Sequence, residues 1–256
     1  MPVIVLKSEH EIAIMREAGL ILRQALDAVR DLIEPGVTTL ELDEAAERVL
    51  RSMGATPTFL GVTQYEGQEP FPATITASIN DELVHGIPSD RTLKQGDIIS
   101  IDCGATYRGY VADSAFTAAV GEISTKAQQL LDVTQKSLDV GIEMMRAGNR
   151  TGDVSAAIQK VIESNGFSIV REYTGHGVGR SMWEPPQVPN FGIAGRGTVL
   201  RPGMTIALEP MVNMGQPETK IEADQWTVST RDGKLCAHFE HSIAVTENGP
   251  LVLTQL

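Results

Sequence analysis

The 256-residue chain has only two cysteines, Cys103 and Cys236, both inside strand-like runs, so a disulfide framework is excluded. Long apolar runs are also missing. Nothing approaches the ~18 residues of a membrane-crossing helix, and the N-terminal run Met1-Pro-Val-Ile-Val-Leu-Lys is too short for a signal peptide. Positive charge is scarce: 21 Lys and Arg face 33 Asp and Glu, a net charge of −12. An acidic surface of that kind argues against nucleic acid and against an anionic membrane as primary partners. These absences describe a soluble cytoplasmic protein. Its 42% hydrophobic and 21% charged residues are ordinary for a packed core, and the length admits one large domain or two small ones.

Helical and β patterns alternate along the chain. Ser8 and Glu11 form a capping box, followed by a stripe of Ile12, Met15, Leu22, Leu26, Val29 and Ile33 that Pro35-Gly36 ends. A second helix starts near Thr38 or Thr39, buries Leu42, Ala45, Ala46, Val49 and Met53, and stops at Gly54. Residues 55–72 read as loop and residues 74–79 as strand. Two further helices open at Thr125 and Thr151, and the remainder is mostly β. A repeat lies within this order. Gly36 to Gly54 aligns without gaps on Gly148 to Gly166, and the run ending at Asp102 aligns on the run ending at Glu209. The expected architecture is α+β, with two pseudo-symmetric α/β halves (about 8–120 and 121–250) in one domain over 1–256. Asp102 and Glu209 would meet at its centre.

The run from Ile98 to Val120 predicts a hairpin turning around Tyr107-Arg108-Gly109, with one aspartate inside each strand, Asp102 and Asp113. With a loop of two or four residues both share a face, directly opposite or one diagonal step apart, roughly 5–8 Å between Cβ atoms. Two ionised carboxylates so placed among Ile, Cys, Ala and Phe need a compensating positive charge, which points to a divalent cation. In the second half Glu240 lies in a strand expected to pair with residues 205–211. His176 stands between Gly175 and Gly177, which would leave its imidazole in open space. Four carboxylates and one imidazole suit a pair of divalent ions, Mn²⁺, Fe²⁺ or Co²⁺, with Zn²⁺ also accommodated, rather than a structural zinc site. Two such ions acidify a shared water and polarise a carbonyl, so the chemistry implied is metal-assisted amide hydrolysis.

The motifs that carry this chemistry also carry a resemblance. Ser78-Ile-Asn-Asp-Glu-Leu-Val-His85-Gly-Ile-Pro, Asp97-Ile-Ile-Ser-Ile-Asp102, Tyr173-Thr-Gly-His176-Gly-Val-Gly-Arg180, Pro202-Gly-Met-Thr-Ile-Ala-Leu-Glu209-Pro and Phe239-Glu240-His241 resemble the short type I methionine aminopeptidases. Those metalloproteases share the pita-bread fold, two α/β halves around a central antiparallel sheet, with prolidase, aminopeptidase P and creatinase. The resemblance implies that Asp102, Asp113, His176, Glu209 and Glu240 hold two divalent metal ions, and that Glu209 also moves the proton. It implies that His85 hydrogen-bonds substrate near the scissile amide and that Phe71 and Trp226 bind it, with Phe59, Thr76 and Met182 nearby. The implied reaction removes initiator methionine from the N-termini of nascent polypeptides near the ribosome, by a monomer, favouring a small second residue. One departure is present. Where the family reads a second histidine that contacts the substrate carbonyl, this chain has Trp183, which offers a single N–H and no charge. A prolidase-like hydrolase and a non-enzymatic pita-bread binding protein are the competing readings.

Overall fold

The structure is a computed structural model describing residues 3–255; Met1, Pro2 and Leu256 lie outside it. Four helices occur in it: α1 (Glu9–Arg30), α2 (Thr39–Ser52), α3 (Thr125–Met144) and α4 (Thr151–Ser164). The capping box at Ser8 forms as its sequence demands, with the Ser8 N–H donating to the Glu11 carboxylate at 2.8 Å. Helix α1 ends at Arg30, earlier than Pro35-Gly36. Leu32 and Ile33 already bond three residues back, to the carbonyls of Val29 and Arg30, which tightens the chain out of α-geometry. Ile33 therefore lies beyond the helix. In α2 the buried stripe runs through Leu42, Ala45, Ala46 and Leu50. Val49 is only half-buried and Met53, at the C-cap, is exposed, so the expected stripe was one position out at its C-terminal end.

The second half repeats the construction of the first. Helices α2 and α4 both have 14 residues. Each is preceded by a glycine in the left-handed region, Gly36 at φ 104° and Gly148 at φ 92°, and followed by another, Gly54 at 77° and Gly166 at 76°. Thr38 bridges Thr92 just before α2, and Arg150 bridges Val199 just before α4. Local turn chemistry, read twice, thus places each helix against the same part of its own half.

The central sheet has nine strands, and its pairs are antiparallel. Its middle is the hairpin of Ile98–Tyr107 and Tyr110–Ala119, closed by the two residues Arg108 and Gly109. Their φ values of 50° and 78° mark a type I′ turn, which matches the right-handed strand twist. The strand Glu240–Thr246 pairs with Tyr110–Ala119 on one side and with Thr205–Leu208 on the other. Next come Gly175–Gly177 and then Glu184–Val188. The seam between halves is tied by serines: the Asp113 N–H donates to Ser242 Oγ at 2.9 Å, and Ser114 Oγ–H donates to the Glu240 carbonyl at 2.7 Å.

One face of this sheet is apolar. Ile99, Ile101, Cys103, Ala105, Phe116, Ile206, Leu208, Ile243 and Val245 form a continuous core with the inner faces of all four helices. Side chains alternate along a strand, so the residues between these point to the opposite face. That second face carries the chemistry.

Candidate metal centre

Strand register assembles the site. Asp102 pairs with Ala115, and on the other side of Ala115 lies Glu240. The pairing of His241 with Leu208 runs in register to that of Met211 with His238, which sets Glu209 across from Glu240. Directly paired residues share a face, so Asp102, Ala115, Glu240 and Glu209 form one row across the sheet. Asp113 is two residues from Ala115, one diagonal step from Asp102. His176 pairs with Ala207, two residues before Glu209. All five expected side chains therefore emerge on one face, and the small Ala115 leaves room between them.

His176 does not stand in open space. Its strand is wedged between other backbones, and the glycines beside it are required by that. A Cβ on Gly175 would lie 2.7 Å from the Ala207 carbonyl oxygen, and one on Gly177 would lie 2.4 Å from that of Pro185. His176 is buried, with Nδ1 at 2.9 Å from the Gly177 carbonyl oxygen. A proton on Nδ1 satisfies that bond and leaves the Nε2 lone pair facing the acids, 3.4 Å from Glu209 Oε1 and 3.9 Å from Asp113 Oδ2. One ligand atom from each of Asp113, His176 and Glu240 lie within 4.8 Å of one another.

Burial and mutual repulsion push the carboxyl groups up. Asp102 and Glu240 titrate well above the usual range, because of burial first and then the neighbouring carboxylates. Glu209 is raised by burial and by Asp113. Asp113 rises to about 7 through burial, tempered by hydrogen bonds with Glu240 and Asp102. Burial lowers His176. Asp102 Oδ1, Asp113 Oδ1 and Glu240 Oε1 are buried with no hydrogen-bond partner, and within 4.0 Å the positively chargeable partners of Asp113, Glu209 and Glu240 among the described residues are histidines alone. Orphaned acid oxygens on one face beside an imidazole fit a divalent cation, which takes hard oxygen donors and one nitrogen; the tight group is Asp113, His176 and Glu240, with Asp102 and Glu209 beside it on the cavity wall.

The five side chains open on a cavity of about 1000 Å³ that is also lined by His85, Phe59, Phe71, Thr76, Met182, Trp183 and Trp226. Phe71 and Trp226 meet edge to face at 5.1 Å between ring centres, forming with Ala73 an apolar cluster separate from the main core. The Trp226 indole N–H donates to the Glu69 carbonyl at 3.0 Å, which ties the 63–70 loop over the pocket. His85 has φ 61°, a left-handed conformation uncommon outside glycine. Gly86 behind it is pressed to the neighbouring strand, where a Cβ would come within 2.4 Å of the Ala77 carbonyl oxygen. Burial lowers His85 to about 4, so it is a neutral imidazole at pH 7. Trp183 is at the cavity rim, with 52% of its surface exposed. The loop carrying it is pinned by the ion pair of buried Lys7 with half-buried Glu184.

His238 was not anticipated. It sits two residues before Glu240 on the same face, and both of its ring nitrogens are buried without a partner. Strand alternation from Glu240 was the signal that could have found it.

The profile of metallopeptidase family M24 matches residues 13–247. The chain belongs to metallopeptidase family M24. Among its M24 relatives, methionine aminopeptidase 1 of Bacillus subtilis is 49% identical over 99% of this chain and 100% of its own. A methionine aminopeptidase of Thermotoga maritima superposes with a TM-score of 0.95 at 42% identity, over 99% of this chain and 100% of that one. The Xaa-Pro dipeptidase of Bacillus anthracis reaches a TM-score of 0.77 at 28% identity, and the match takes in 98% of this chain but only 62% of that one. The M24 fold here is thus the pita-bread fold, of α+β architecture, as expected. Among the described residues no helix is long and apolar enough to cross a membrane.

Proposed function

We propose that this M24 enzyme is a methionine aminopeptidase acting as one catalytic unit on the N-termini of nascent proteins. The supporting observation is the meeting, in one cavity, of an acid-rich centre with a small apolar pocket. Asp102, Asp113, His176, Glu209 and Glu240 are the residues that would hold two divalent ions (Co, Mn, Fe or Zn). Such ions, when bound, supply Lewis-acid polarisation of the scissile carbonyl and acidify water.

The chain's own groups do the rest. Phe71, Trp226 and Phe59 enclose the unbranched, adaptable methionine side chain by apolar contact. The acids beside them attract a free amino terminus, which restricts cleavage to the first residue. His85, neutral and fixed by its backbone, holds the peptide near the scissile amide by hydrogen bonding. Glu209 is the proton carrier. Its side chain is 13% exposed against 3% for Asp113 and 2% for Glu240, so it is more open to the cavity than either. Burial and the neighbouring Asp113 raise its basicity, which favours proton uptake. The walls around the rim favour a small second residue. Cytoplasmic residence, work close to the ribosome and a monomeric state complete the proposal.

Hydrolysis of Met-Ala-Ser by the Mn²⁺- or Co²⁺-loaded protein, with an Xaa-Pro dipeptide as control, tests this. The methionyl peptide should be cut in a chelator-sensitive manner and the dipeptide left intact. Glu209→Gln keeps one ligand oxygen but cannot take a proton, so turnover should fall by roughly 10²-fold or more while metal remains bound. Near-normal turnover in that variant removes Glu209 from the proton path.

A further inference from the structure

His238 holds the place in the second half that Asp113 holds in the first. Asp113 lies two residues before Ala115, which pairs with Asp102; His238 lies two residues before Glu240, which the register sets across from Glu209. The repeat therefore puts an imidazole where its twin has an acid. Its backbone is locked: the His238 N–H donates to Thr117 Oγ1 at 2.9 Å, and Thr117 Oγ1–H donates to the His238 carbonyl at 2.8 Å. The ring has little room to turn away, since the side chain is only 2% exposed.

His238 Nε2 lies 3.9 Å from Glu209 Oε2 and 3.9 Å from Glu240 Oε2. Glu209 is thus flanked by two imidazoles, His176 on Oε1 and His238 on Oε2. The five side chains assigned to metal all line the cavity, whereas His238 does not. It approaches the two glutamates from their buried side. A nitrogen in that position, left bare, is a desolvated polar atom with no compensation. A small rotation of either carboxylate closes 3.9 Å to hydrogen-bond length.

We infer that His238 is a positioning residue of the metal centre, donating its Nε2–H to the rear oxygens of Glu209 and Glu240 and holding both carboxylates toward the cations. This rests on the metal-binding reading above. A hydrogen bond behind a ligand fixes its orientation, and losing one weakens metal affinity by about 10–100-fold. Glutamine can present an N–H from nearly the same place; leucine cannot.

The test is calorimetric titration of Mn²⁺ into chelator-treated wild type, His238→Gln and His238→Leu, with the melting temperature of each metal-free protein measured alongside. Leucine should lower affinity by about 10-fold or more, and glutamine should restore most of it. Wild-type affinity in the leucine variant overturns the inference. An equal loss in the glutamine and leucine variants overturns it too, because it makes the imidazole itself a ligand. Absence of Mn²⁺ binding in the wild type sinks the metal reading instead, which keeps the two failures apart. If the leucine variant does not fold, ¹⁵N-histidine spectra of the Zn²⁺-loaded wild type decide. A slowly exchanging Nε2–H, assigned to His238 by its loss in His238→Gln, is expected, and an unprotonated Nε2 refutes the donor role.

Discussion

At the scale of single residues, Trp183 separates two mechanisms. A donor preorganised at the developing oxyanion contributes about 10²–10³ in rate, but only inside a dry site. With 52% of its surface exposed, the indole is hydrated, which weakens any such bond. On the proposed function, a bulky ring at the cavity rim would instead meet the peptide beyond its first residue. Trp183→His is therefore expected to change KM and the preference for X across a set of Met-X-Ser peptides, with kcat nearly flat. A rise in kcat at constant KM would assign the indole the place of an oxyanion donor. The candidate ligands Asp102 and Asp113 were readable from the sequence because an acid inside an apolar strand demands an explanation. His238 was not, since an imidazole beside Phe239 and Glu240 looks like any strand residue until register shows what it faces.

At the scale of elements, the two glycines in contrasting settings make the point testable. Gly177 has backbone on both sides: an added Cβ would lie 2.4 Å from the Pro185 oxygen and 2.8 Å from that of Glu184. Neither is the end of a flexible side chain, so Gly177→Ala must move the strand that carries His176. A loss of about 1–3 kcal/mol in metal-free stability is expected, together with weaker Mn²⁺ binding. Gly109, at the hairpin tip with φ 78°, has only Arg180 Nη1 near, at 3.8 Å. Gly109→Ala should cost roughly 1 kcal/mol through backbone strain and leave Mn²⁺ affinity unchanged. Equal metal affinity in both variants, measured by the same titration, would show that the His176 strand tolerates displacement. The glycine pattern around His176 was visible in the sequence, yet it read as freedom; the neighbouring strands show it to be crowding.

For the whole molecule, the acid cluster links pH, metal and stability. A carboxyl raised in the folded state binds its proton more tightly there than when unfolded, so it stabilises at low pH and that stabilisation is lost as pH rises through the folded value. Asp113 sits at about 7 and Asp102, Glu209 and Glu240 are well above the usual range. Buried histidines act in the opposite sense. His85 at about 4, His238 at about 3 and His241 at about 4 are depressed below the ordinary 6.5, so their contribution grows with pH and is complete above it. From about pH 6.5 to 7.5 only the carboxyl groups remain active; nearer the unfolded thiol value of about 8.5 the buried Cys103 and Cys236, also raised by burial, add to the same trend. Chelator-treated protein should therefore lose melting temperature from about pH 6.5 to 7.5, and Mn²⁺ should abolish the slope by supplying the missing positive charge. A flat profile without metal would mean that the carboxylates are solvated or compensated by other groups.

The sequence by itself determined the helix caps, the hairpin turn, the repeated segments of helix between glycines and the acids set inside apolar strands. Each of these is written in neighbouring residues: a capping box, an Arg-Gly turn, glycines at fixed offsets, an acid at a strand position otherwise apolar. Tertiary structure alone decided which faces met. Pairing across the seam at Ala115 put donors from both halves on one side of one sheet. It also buried His176, set Phe71 against Trp226, left Trp183 at the rim and turned His238 toward two glutamates. The reason is physical: alternation fixes a residue's face within its strand, but which strands become neighbours is settled by burying one apolar face against four helices.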